Sequence, residues 1–316
     1  MSVSSTPPFK AKFLMPQFWA IWLGVVLLWL LAHLPWRVQF ATGRWLGAIF
    51  WRLAKRRRLD TQINLALCFP ELSESERVEM SLDVFRNGMI GFFESLSAWY
   101  SPKRFNDRVT IQGLHHLIEA QKRGQGVLLL GGHYTTLDLG GYLSSLFFSA
   151  YVVYRPQNNI LFEWLITRAR SNMFEQQIDH DDMRGLISAL KSGQIVWYSP
   201  DQDYGLKQGV MAPFFGVPAA TVTAPRRLVK INNSVIMAFH SYRENDKKPH
   251  YKLTITPELL HYPSDDPVLD ATRVNDLFEG LIRIAPTQWM WFHRRFKSQP
   301  KGTPSYYAVP VDAPKT

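Results

Sequence analysis

The residues from Phe13 to Trp36 include no Asp, Glu, Lys or Arg, and this 24-residue stretch constrains the chain more than any other feature. As a helix it would extend about 36 Å, while the hydrocarbon core of a bilayer is about 30 Å thick. The apolar region of a cleaved signal peptide is shorter, about 7–15 residues, and no small-residue cleavage site follows this one. We therefore predict an uncleaved N-terminal membrane helix. The alternative is a hydrophobic helix that lies on the membrane or docks on its own domain.

Basic residues are distributed unequally on the two sides of this stretch. Two of them, Lys10 and Lys12, precede it. Seven follow it: Arg37, Arg44, Arg52, Lys55, Arg56, Arg57 and Arg58. Because cytoplasmic flanks are rich in Lys and Arg, this bias predicts that the C-terminal part of the chain lies in the cytoplasm. The same side chains are suited to contact anionic lipid headgroups.

The composition excludes several classes of protein. Hydrophobic residues make up 46% of the 316 residues and aromatic residues 14%, which excludes a disordered chain. The one cysteine, Cys68, cannot form an internal disulfide. With 36 Lys and Arg against 26 Asp and Glu, the formal net charge is +10. Such a charge indicates an anionic partner, which composition alone leaves open as nucleic acid, a membrane surface, or an acidic protein or ligand.

The pattern of apolar residues changes near residue 109, where short apolar runs begin to alternate with longer helical patterns. The predicted strands are Val127–Leu130, Ala150–Tyr154, Gln194–Tyr198, Ser234–His240 and Lys252–Thr256. The predicted helices are His115–Lys122, Asp138–Phe147, Leu161–Asn172, Met183–Lys191, Ala220–Lys230 and Ala271–Ile284. This alternation predicts an α/β fold with a mixed, largely parallel sheet flanked by helices.

Four regions are therefore expected along the chain. Residues 1–36 form an N-terminal segment with the membrane helix, and residues 37–108 a helical, basic juxtamembrane region. Residues 109–300 form the α/β domain, and residues 301–316, rich in Pro and small side chains, a tail. In the second region, Ser73 and Glu76 have the spacing of a capping box at the start of a long amphipathic helix.

The first predicted strand ends in Gly131-Gly132-His133, and Asp138 follows five residues after the histidine. Active sites of α/β sheets lie at the carboxyl ends of strands. The two glycines allow a sharp turn and leave room for a ligand. A carboxylate on one imidazole nitrogen makes the other a better base, so we expect Asp138 to contact the ring. The alternative is a helix-capping histidine beside a surface aspartate.

Polar residues follow the second and third strands as well. Arg155 and Asn158 come directly after the second strand, and Arg168 and Arg170 are on the helix that follows. Arginine binds phosphate or a developing oxyanion with two hydrogen bonds, although isolated arginines are commonly solvated or paired. Asp201 follows the third strand.

Other chemistries have weak support. The chain contains no G-x-S-x-G elbow of a serine hydrolase and no G-x-x-x-x-G-K-[ST] phosphate loop. The run from Asp179 to Asp182 has the composition of a metal cluster, but consecutive residues rarely converge on one ion, so we expect a solvated helix start. We expect neither a metal nor a cofactor.

Taken together, the blocks of this chain resemble the late acyltransferases of lipid A biosynthesis, the lauroyl and myristoyl transferases of the Gram-negative inner membrane. The blocks that carry the resemblance are Arg56-Arg57-Arg58, Asn64-Leu65, Cys68-Phe69-Pro70-Glu71, His133 with Asp138, Tyr154-Arg155-Pro156, Asn158-Asn159, Asp201-Gln202-Asp203-Tyr204-Gly205 and His293-Arg294-Arg295-Phe296-Lys297. The resemblance covers nearly the whole chain. One departure is Asp138, where late lipid A enzymes often have Glu.

The resemblance implies transfer of a fatty acyl group from acyl carrier protein to a hydroxyl of an anionic lipid A precursor. It implies a His133/Asp138 general-base dyad without a covalent enzyme intermediate. Arg170 is the first candidate to stabilise the oxyanion, and backbone N–H groups near Gly131–His133 are the second. Asp201 is expected to act in structure or substrate placement, and Arg155, Asn158, Arg57 and Arg58 in acceptor binding. The enzyme would lie in the inner membrane with its catalytic domain on the cytoplasmic side, and nucleic acid would not be a partner.

Two alternatives remain at this point. One is an acyltransferase of the wider H-x4-D/E group that acts on a phospholipid or another glycolipid. The other is a membrane-anchored, non-catalytic protein that binds anionic lipid through its basic surface.

Overall fold

The computed structural model describes residues 8–308, so residues 1–7 of the N-terminal segment and 309–316 of the predicted tail lie outside the described residues. The helices are α1 Trp19–His33, α2 Trp36–Leu53, α3 Lys55–Cys68, α4 Glu74–Tyr100, α5 Leu114–Lys122, α6 Leu137–Ser144, α7 Ile160–Arg170, α8 Met183–Lys191, α9 Ala224–Asn232 and α10 Pro267–Ile284. The strands are β1 Val109–Gln112, β2 Val127–Gly131, β3 Tyr151–Tyr154, β4 Gln176–Asp179, β5 Ile195–Tyr198, β6 Gly209–Phe214, β7 Val217–Val222, β8 Val235–Arg243 and β9 Tyr251–Ile255. Short 3-10 turns cover Ala11–Leu14, Pro16–Phe18, Pro102–Phe105 and Pro286–Gln288.

Seven strands form one mixed sheet in the order β1-β9-β8-β2-β5-β3-β4. Strand β2 runs parallel to both of its neighbours, β5 and β8, while β8 and β9 are antiparallel. All five residues of β2 are buried, because helices cover both faces of the sheet. Leu128 and Leu130 face one hydrophobic core, and Val127 and Leu129 face the other. The α/β fold class with a largely parallel sheet is confirmed.

The structure contains elements that the apolar runs did not reveal. Strands β1 and β4 are short and partly exposed, so their apolar pattern is weak. Strands β6 and β7 form a separate hairpin whose turn consists of Phe215 and Gly216, both with positive φ. The helix predicted over Ala220–Lys230 therefore begins only at Ala224, because its first residues belong to β7.

Helix α4 is the main link between the first four helices and the α/β domain. The capping box at its start is present: the Ser73 hydroxyl accepts from the Glu76 N–H, and the Glu76 carboxylate accepts from the Ser73 N–H. Helix α4 contacts α1, α2, α3 and α6. A Cβ on Gly91 of α4 would lie 2.3 Å from the carbonyl oxygen of Thr135, so only glycine lets the helix approach the loop after β2 this closely. The helical region therefore borders the predicted site directly.

Among residues 8–308, one segment is long and apolar enough to cross a membrane by length and composition, Pro16–His33. It is shorter than the uncharged stretch because Pro35 separates α1 from α2. At the other end of the chain, Tyr307 of the predicted tail is only 4% exposed, and its hydroxyl donates to Asn64 Oδ1 of α3.

Candidate active site

His133 lies in the loop between β2 and α6, at the carboxyl edge of the sheet. The loop is held by a short antiparallel pairing with residues near the C-terminal end of the domain. The His133 carbonyl accepts from the Met290 N–H at 3.0 Å, and the Thr135 N–H donates to the Gln288 carbonyl at 2.7 Å. These two backbone bonds flank Tyr134 and fix the loop directly after His133.

Asp201 binds His133 through both of its carboxylate oxygens. Oδ1 is 2.6 Å from Nδ1 of the ring, and Oδ2 accepts from the His133 backbone N–H at 2.7 Å. Trp289 also donates its Nε1–H to Oδ2, at 2.9 Å. The Asp201 side chain is fully buried, while 25% of the His133 side chain is exposed. Because Nδ1 faces the buried carboxylate, Nε2 is the ring nitrogen left for a substrate.

The electrostatics of this pair favour the charged form of both groups. For His133, burial opposes the charge, but the carboxylate of Asp201 and its hydrogen bond outweigh burial and raise the pKa of the imidazole above its ordinary value. For Asp201, burial likewise opposes the charge, but His133 and the hydrogen bonds from His133 and Trp289 lower the pKa of the carboxyl. The site therefore holds an imidazole of raised basicity beside a buried carboxylate.

Asp138 contacts Arg170, and the expected hydrogen bond from Asp138 to the His133 ring is absent from the described residues. Oδ1 of Asp138 accepts from Nε and Nη2 of Arg170 at 3.3 and 3.2 Å. The expected geometry was wrong because Asp201 follows β5, the parallel neighbour of β2. The loops after two adjacent parallel strands emerge at the same edge. Asp138, one residue into α6, meets instead the last residue of α7.

The two glycines before His133 allow close packing, and the room expected there for a ligand is filled by side chains. A Cβ on Gly131 would lie 2.0 Å from Nε1 of Trp197, and one on Gly132 would lie 2.8 Å from the ring of Tyr134. The backbone N–H of His133 is also occupied, since it donates to Asp201. The expected oxyanion donors were Arg170 and the backbone N–H groups near Gly131–His133. Of these, the N–H of His133 is not available to a substrate.

Comparison with known proteins decides the family. The family model for the bacterial lipid A biosynthesis acyltransferases matches residues 6–298. The chain belongs to this family. It is 38% identical over 307 residues to the lipid A biosynthesis lauroyltransferase of Escherichia coli (strain K12), over 96% of this chain and 100% of that protein. Identity to the palmitoleoyltransferase of the same strain is also 38%, over 95% of this chain and 98% of that protein.

A third relative, the lipid A biosynthesis myristoyltransferase of Escherichia coli (strain K12), is 28% identical over 94% of this chain and 92% of that protein. The family inferred from the sequence blocks is thereby confirmed. The protein is a late acyltransferase of lipid A biosynthesis.

Two of the blocks that carry the resemblance to this acyltransferase family meet at Asp203, two residues after Asp201. Asp203 accepts from the backbone N–H groups of Gly205 and Ser298, both at 2.8 Å. Nε2 of His293 accepts from the Asp203 N–H at 3.0 Å. Burial, together with the charge of Lys297, lowers the pKa of His293 to about 4, so its ring is neutral and able to accept.

The residues expected to bind the acceptor lie apart from His133 in the chain and differ in exposure and contacts. Arg155 and Asn158 are exposed in the loop between β3 and α7. Arg57 donates to the Phe292 carbonyl at 3.2 Å. Arg58 donates to the Trp51 carbonyl at 3.3 Å, and its guanidinium lies 4.7 Å from the centre of the Trp51 ring.

Two other groups in the chain have side chains that can bind metals or act as nucleophiles. Asp179, His180 and Asp181 have ligand atoms within 4.8 Å of one another, but all three are exposed. They precede α8, whose N-cap is the Asp182 side chain. Cys68 is buried, and burial raises the pKa of its thiol well above the ordinary value, which makes it a poor nucleophile.

The part that Trp289 plays was not predicted from the sequence. Its indole is 1% exposed and donates to the same oxygen of Asp201 that holds the backbone of His133. The aromatic block from Trp289 to Phe292 carried a signal, because a buried indole N–H generally has a hydrogen-bond partner. Nothing in the sequence identified that partner.

Proposed function

We propose that this acyltransferase moves a fatty acyl group from an acyl carrier protein thioester to a hydroxyl of a lipid A precursor at the inner membrane. The observation that carries the mechanism is the Asp201 carboxylate on Nδ1 of His133. It fixes the ring, favours the tautomer with its proton on Nδ1, and stabilises the imidazolium that forms when Nε2 takes up a proton.

The reaction is a direct acyl transfer. Nε2 of His133 takes the proton of the acceptor hydroxyl while the oxygen attacks the thioester carbonyl, and a C–O bond forms. The tetrahedral intermediate then collapses, the C–S bond breaks, and the imidazolium returns the proton to the departing thiolate. The products are the ester and the free thiol of the carrier. Atoms and charge balance without a covalent enzyme intermediate.

Arg170 is the group we assign to the oxyanion. Its Nε and Nη2 are held by Asp138, so the guanidinium is oriented before substrate binds. A preorganised cation stabilises a developing oxyanion more than a mobile one, because no reorganisation is needed during the reaction. Asp138 therefore acts as a positioning residue for Arg170, and Asp201 is the carboxylate of the histidine dyad.

The substrates follow from charge and from the relatives. The relatives are named for the transfer of lauroyl, palmitoleoyl and myristoyl groups, which supports a fatty acyl donor. A net charge of +10 suits both an acidic carrier protein and an anionic glycolipid. Exposed polar groups near the strand ends, Arg155 and Asn158, are proposed to bind the phosphates or sugars of the acceptor, together with Arg57 and Arg58.

Residues 109–300 are proposed to form the catalytic domain, with residues 37–108 as the basic region at the membrane and 301–316 as a C-terminal tail. The excess of basic residues after Trp36 supports a cytoplasmic position for the catalytic domain.

The experiment that tests the function offers the purified protein a choice of acceptor. It is incubated with an acyl carrier protein thioester and either a tetra-acylated lipid A precursor or a lysophospholipid, and the products are identified by mass spectrometry. We expect acylation of the lipid A precursor. If product formed from the lysophospholipid alone, the acceptor would be a phospholipid and the proposed lipid A acceptor would be wrong.

The residue test uses His133→Ala with His180→Ala as the matched control. His180 is an exposed histidine paired with Asp179, so its loss should leave the transfer rate unchanged. His133→Ala should lower the rate about 10²–10⁴-fold, the usual contribution of a general base. It should retain binding to anionic lipid vesicles. Full activity in His133→Ala would contradict the mechanism.

A further inference from the structure

The N-terminal end of α1 is attached to the catalytic domain. Phe13 and Phe18, in the turns before α1, are buried with Leu161 and Trp164 of α7. The rings of Phe13 and Trp164 have centroids 5.7 Å apart. Trp22 of α1 donates its indole N–H to the Phe13 carbonyl at 2.8 Å, which ties the preceding turn to the helix. The chain therefore enters α1 from the surface of α7.

The C-terminal end of α1 is attached to the same domain. Ala32 is buried against Phe93 and Leu96 of α4. Its carbonyl accepts from Nη1 of Arg104 at 2.9 Å and from the Ser101 hydroxyl at 3.0 Å. These bonds satisfy the end of the helix with groups that follow α4 directly. Both ends of α1 are thus in contact with elements of one folded unit.

This arrangement is incompatible with a helix that crosses the bilayer. Helix α1 has 15 residues, and with the turn before it the apolar segment Pro16–His33 has 18, a length of about 27 Å at about 1.5 Å per residue. The segment is thus close in length to a hydrocarbon core of about 30 Å, and the attachment of its two ends decides the question. If its N-terminal end were on the far side, α7 would be there too, together with β3 and its partners in the sheet. An open sheet cannot enter hydrocarbon, because its edges would be unsatisfied.

We propose that α1 does not span the membrane and that α1 and α2 form a monotopic anchor, inserted into one leaflet from the side of the catalytic domain. The face of α1 directed away from the domain is apolar, with exposed fractions of 63% for Trp19, 74% for Leu23 and 53% for Leu30. These residues recur at helical spacing, together with Val26 and Leu27. The stripe lies along the helix, and the opposite face, which is apolar as well, packs against α4 and α7. Only the stripe is therefore left to enter the leaflet.

Helix α2 continues this surface and indicates which lipids it meets. Its exposed large apolar residues are Val38, Trp45, Phe50 and Leu53, of which Val38, Trp45 and Leu53 are spaced seven and eight residues apart. An arginine precedes each of these three residues. Arg44 is paired with Asp246, whereas Arg37 and Arg52 are exposed and have no carboxylate partner among the described residues, so these two form a basic row beside the apolar stripe. An apolar stripe beside a basic row is complementary to a leaflet of anionic phospholipid. The occupant of this surface is therefore the headgroup region and upper acyl chains of such a leaflet.

Thiol labelling tests the position of the N-terminal end. The parent chain has one cysteine, Cys68, which is buried and serves as the blank. Lys12→Cys reports the exposed turn before α1, and Lys122→Cys reports the exposed end of α5 in the catalytic domain. The full-length variants are produced in a Gram-negative host, and a membrane-impermeant maleimide is added to intact or permeabilised spheroplasts.

We expect both variants to react only after permeabilisation. Labelling of Lys12→Cys in intact spheroplasts while Lys122→Cys stays protected would overturn the proposal. Reaction of both from outside would leave the monotopic anchor standing and would contradict only the cytoplasmic side in the proposed function. The outcome for the anchor is therefore separate from the outcome for catalysis.

Cross-linking in native membranes covers the case in which Lys12→Cys is shielded by lipid. Phe9 and Arg168 line a common cavity of about 560 Å³ between the anchor and the domain. In membranes of the double variant Phe9→Cys/Arg168→Cys, a short bismaleimide should link the two peptides, as detected by mass spectrometry. The matched pair Phe9→Cys/Lys122→Cys should give no link. Absence of the Phe9–Arg168 link, or equal linking in both pairs, would overturn the proposal.

Discussion

Asp201 contacts His133 through both oxygens of one carboxylate, at 2.6 Å from the ring Nδ1 and 2.7 Å from the backbone nitrogen. One oxygen thus determines the charge and tautomer of the imidazole, and the other determines the position of the His133 backbone. Trp289 donates a further hydrogen bond to this second oxygen. The pair is a preorganised base at the carboxyl edge of the sheet, and its properties lead to separate predictions.

Activity should fall on the acid side with an apparent pKa above the ordinary value of histidine. His133 must be neutral to accept a proton, and Asp201 raises the pKa of its ring. As the pH decreases through this raised pKa, the ring becomes protonated and the base is lost. In Asp201→Asn, the charge that favours the imidazolium is removed, so the acid limb should move to lower pH while the maximal rate falls about 10²-fold.

A pH profile of kcat/KM for the parent and for Asp201→Asn measures both effects. Asp203→Asn is the control, because Asp203 accepts backbone bonds from Gly205 and Ser298 and has no hydrogen bond to His133. An acid limb that stays in place in Asp201→Asn would show that Asp201 does not set the pKa of the base.

Arg170 and Asp138 should act as a unit. Arg170→Lys should lower kcat about 10²–10³-fold, the loss typical for removal of one oxyanion donor. Asp138→Asn should have a smaller effect of the same kind, because it leaves the guanidinium in place but no longer orients it. The double variant should resemble Arg170→Lys alone, since a positioning residue has no effect without the group it positions.

Single-turnover kinetics on the four proteins of this cycle test the coupling. Arg168→Lys, two residues earlier on α7, is the matched control and should retain the parent rate. Effects of Asp138→Asn and Arg170→Lys that multiply fully in the double variant would mean that the two residues act independently.

The sequence allowed prediction of the residues of the site, but not of which carboxylate pairs with His133. His133, Asp138, Arg170 and Asp201 could each be selected because they follow strands or match motif positions. Which carboxylate meets the ring depends on the order of strands in the sheet, and chain order does not specify that β5 lies beside β2. Local spacing favoured Asp138, whereas a contact between residues 68 positions apart decided the geometry.

The anchor shows the same limit. The uncharged stretch correctly predicted an apolar helix, and the number of residues in it is compatible with the thickness of a membrane. The burial of Phe13 against Trp164 is a tertiary contact between distant segments, and no periodicity in either segment encodes it. The buried strand β2 was predictable because a continuous apolar run between turn residues has few other interpretations.

Trp289→Phe should alter catalysis and stability together, whereas Trp291→Phe should alter stability alone. Each indole donates one hydrogen bond, from Trp289 to Asp201 at 2.9 Å and from Trp291 to the Pro286 carbonyl at 2.7 Å. Hydrogen bonds to a charged group contribute about 1.5–3 kcal/mol and neutral ones about 0.5–1.5 kcal/mol. Trp289→Phe should also raise the pKa of Asp201 and so weaken its hold on the ring of His133.

Thermal unfolding in detergent and a pH profile of activity separate these two variants. We expect a lower Tm for both and a displaced acid limb for Trp289→Phe only. A displaced limb in Trp291→Phe as well would assign the effect to general loosening of the aromatic block.

Arg243→Met should destabilise the fold strongly without acting through the active site. Arg243 is fully buried, and its Nη1 donates to Glu94 of α4 at 2.6 Å. Removing one member of a buried ion pair leaves the other charge unpaired, at a cost of about 3–5 kcal/mol. The double variant Arg243→Met/Glu94→Gln removes both charges of this pair and should recover part of the lost stability, because residue 94 can still form a hydrogen bond with Tyr251.

Denaturant unfolding of the parent and the two variants measures the difference in their free energies of unfolding. Equal destabilisation in the single and the double variant would indicate that the packing of Arg243 and its contacts with Asp246 and Asn87, and not the isolated Glu94 carboxylate, determine the cost.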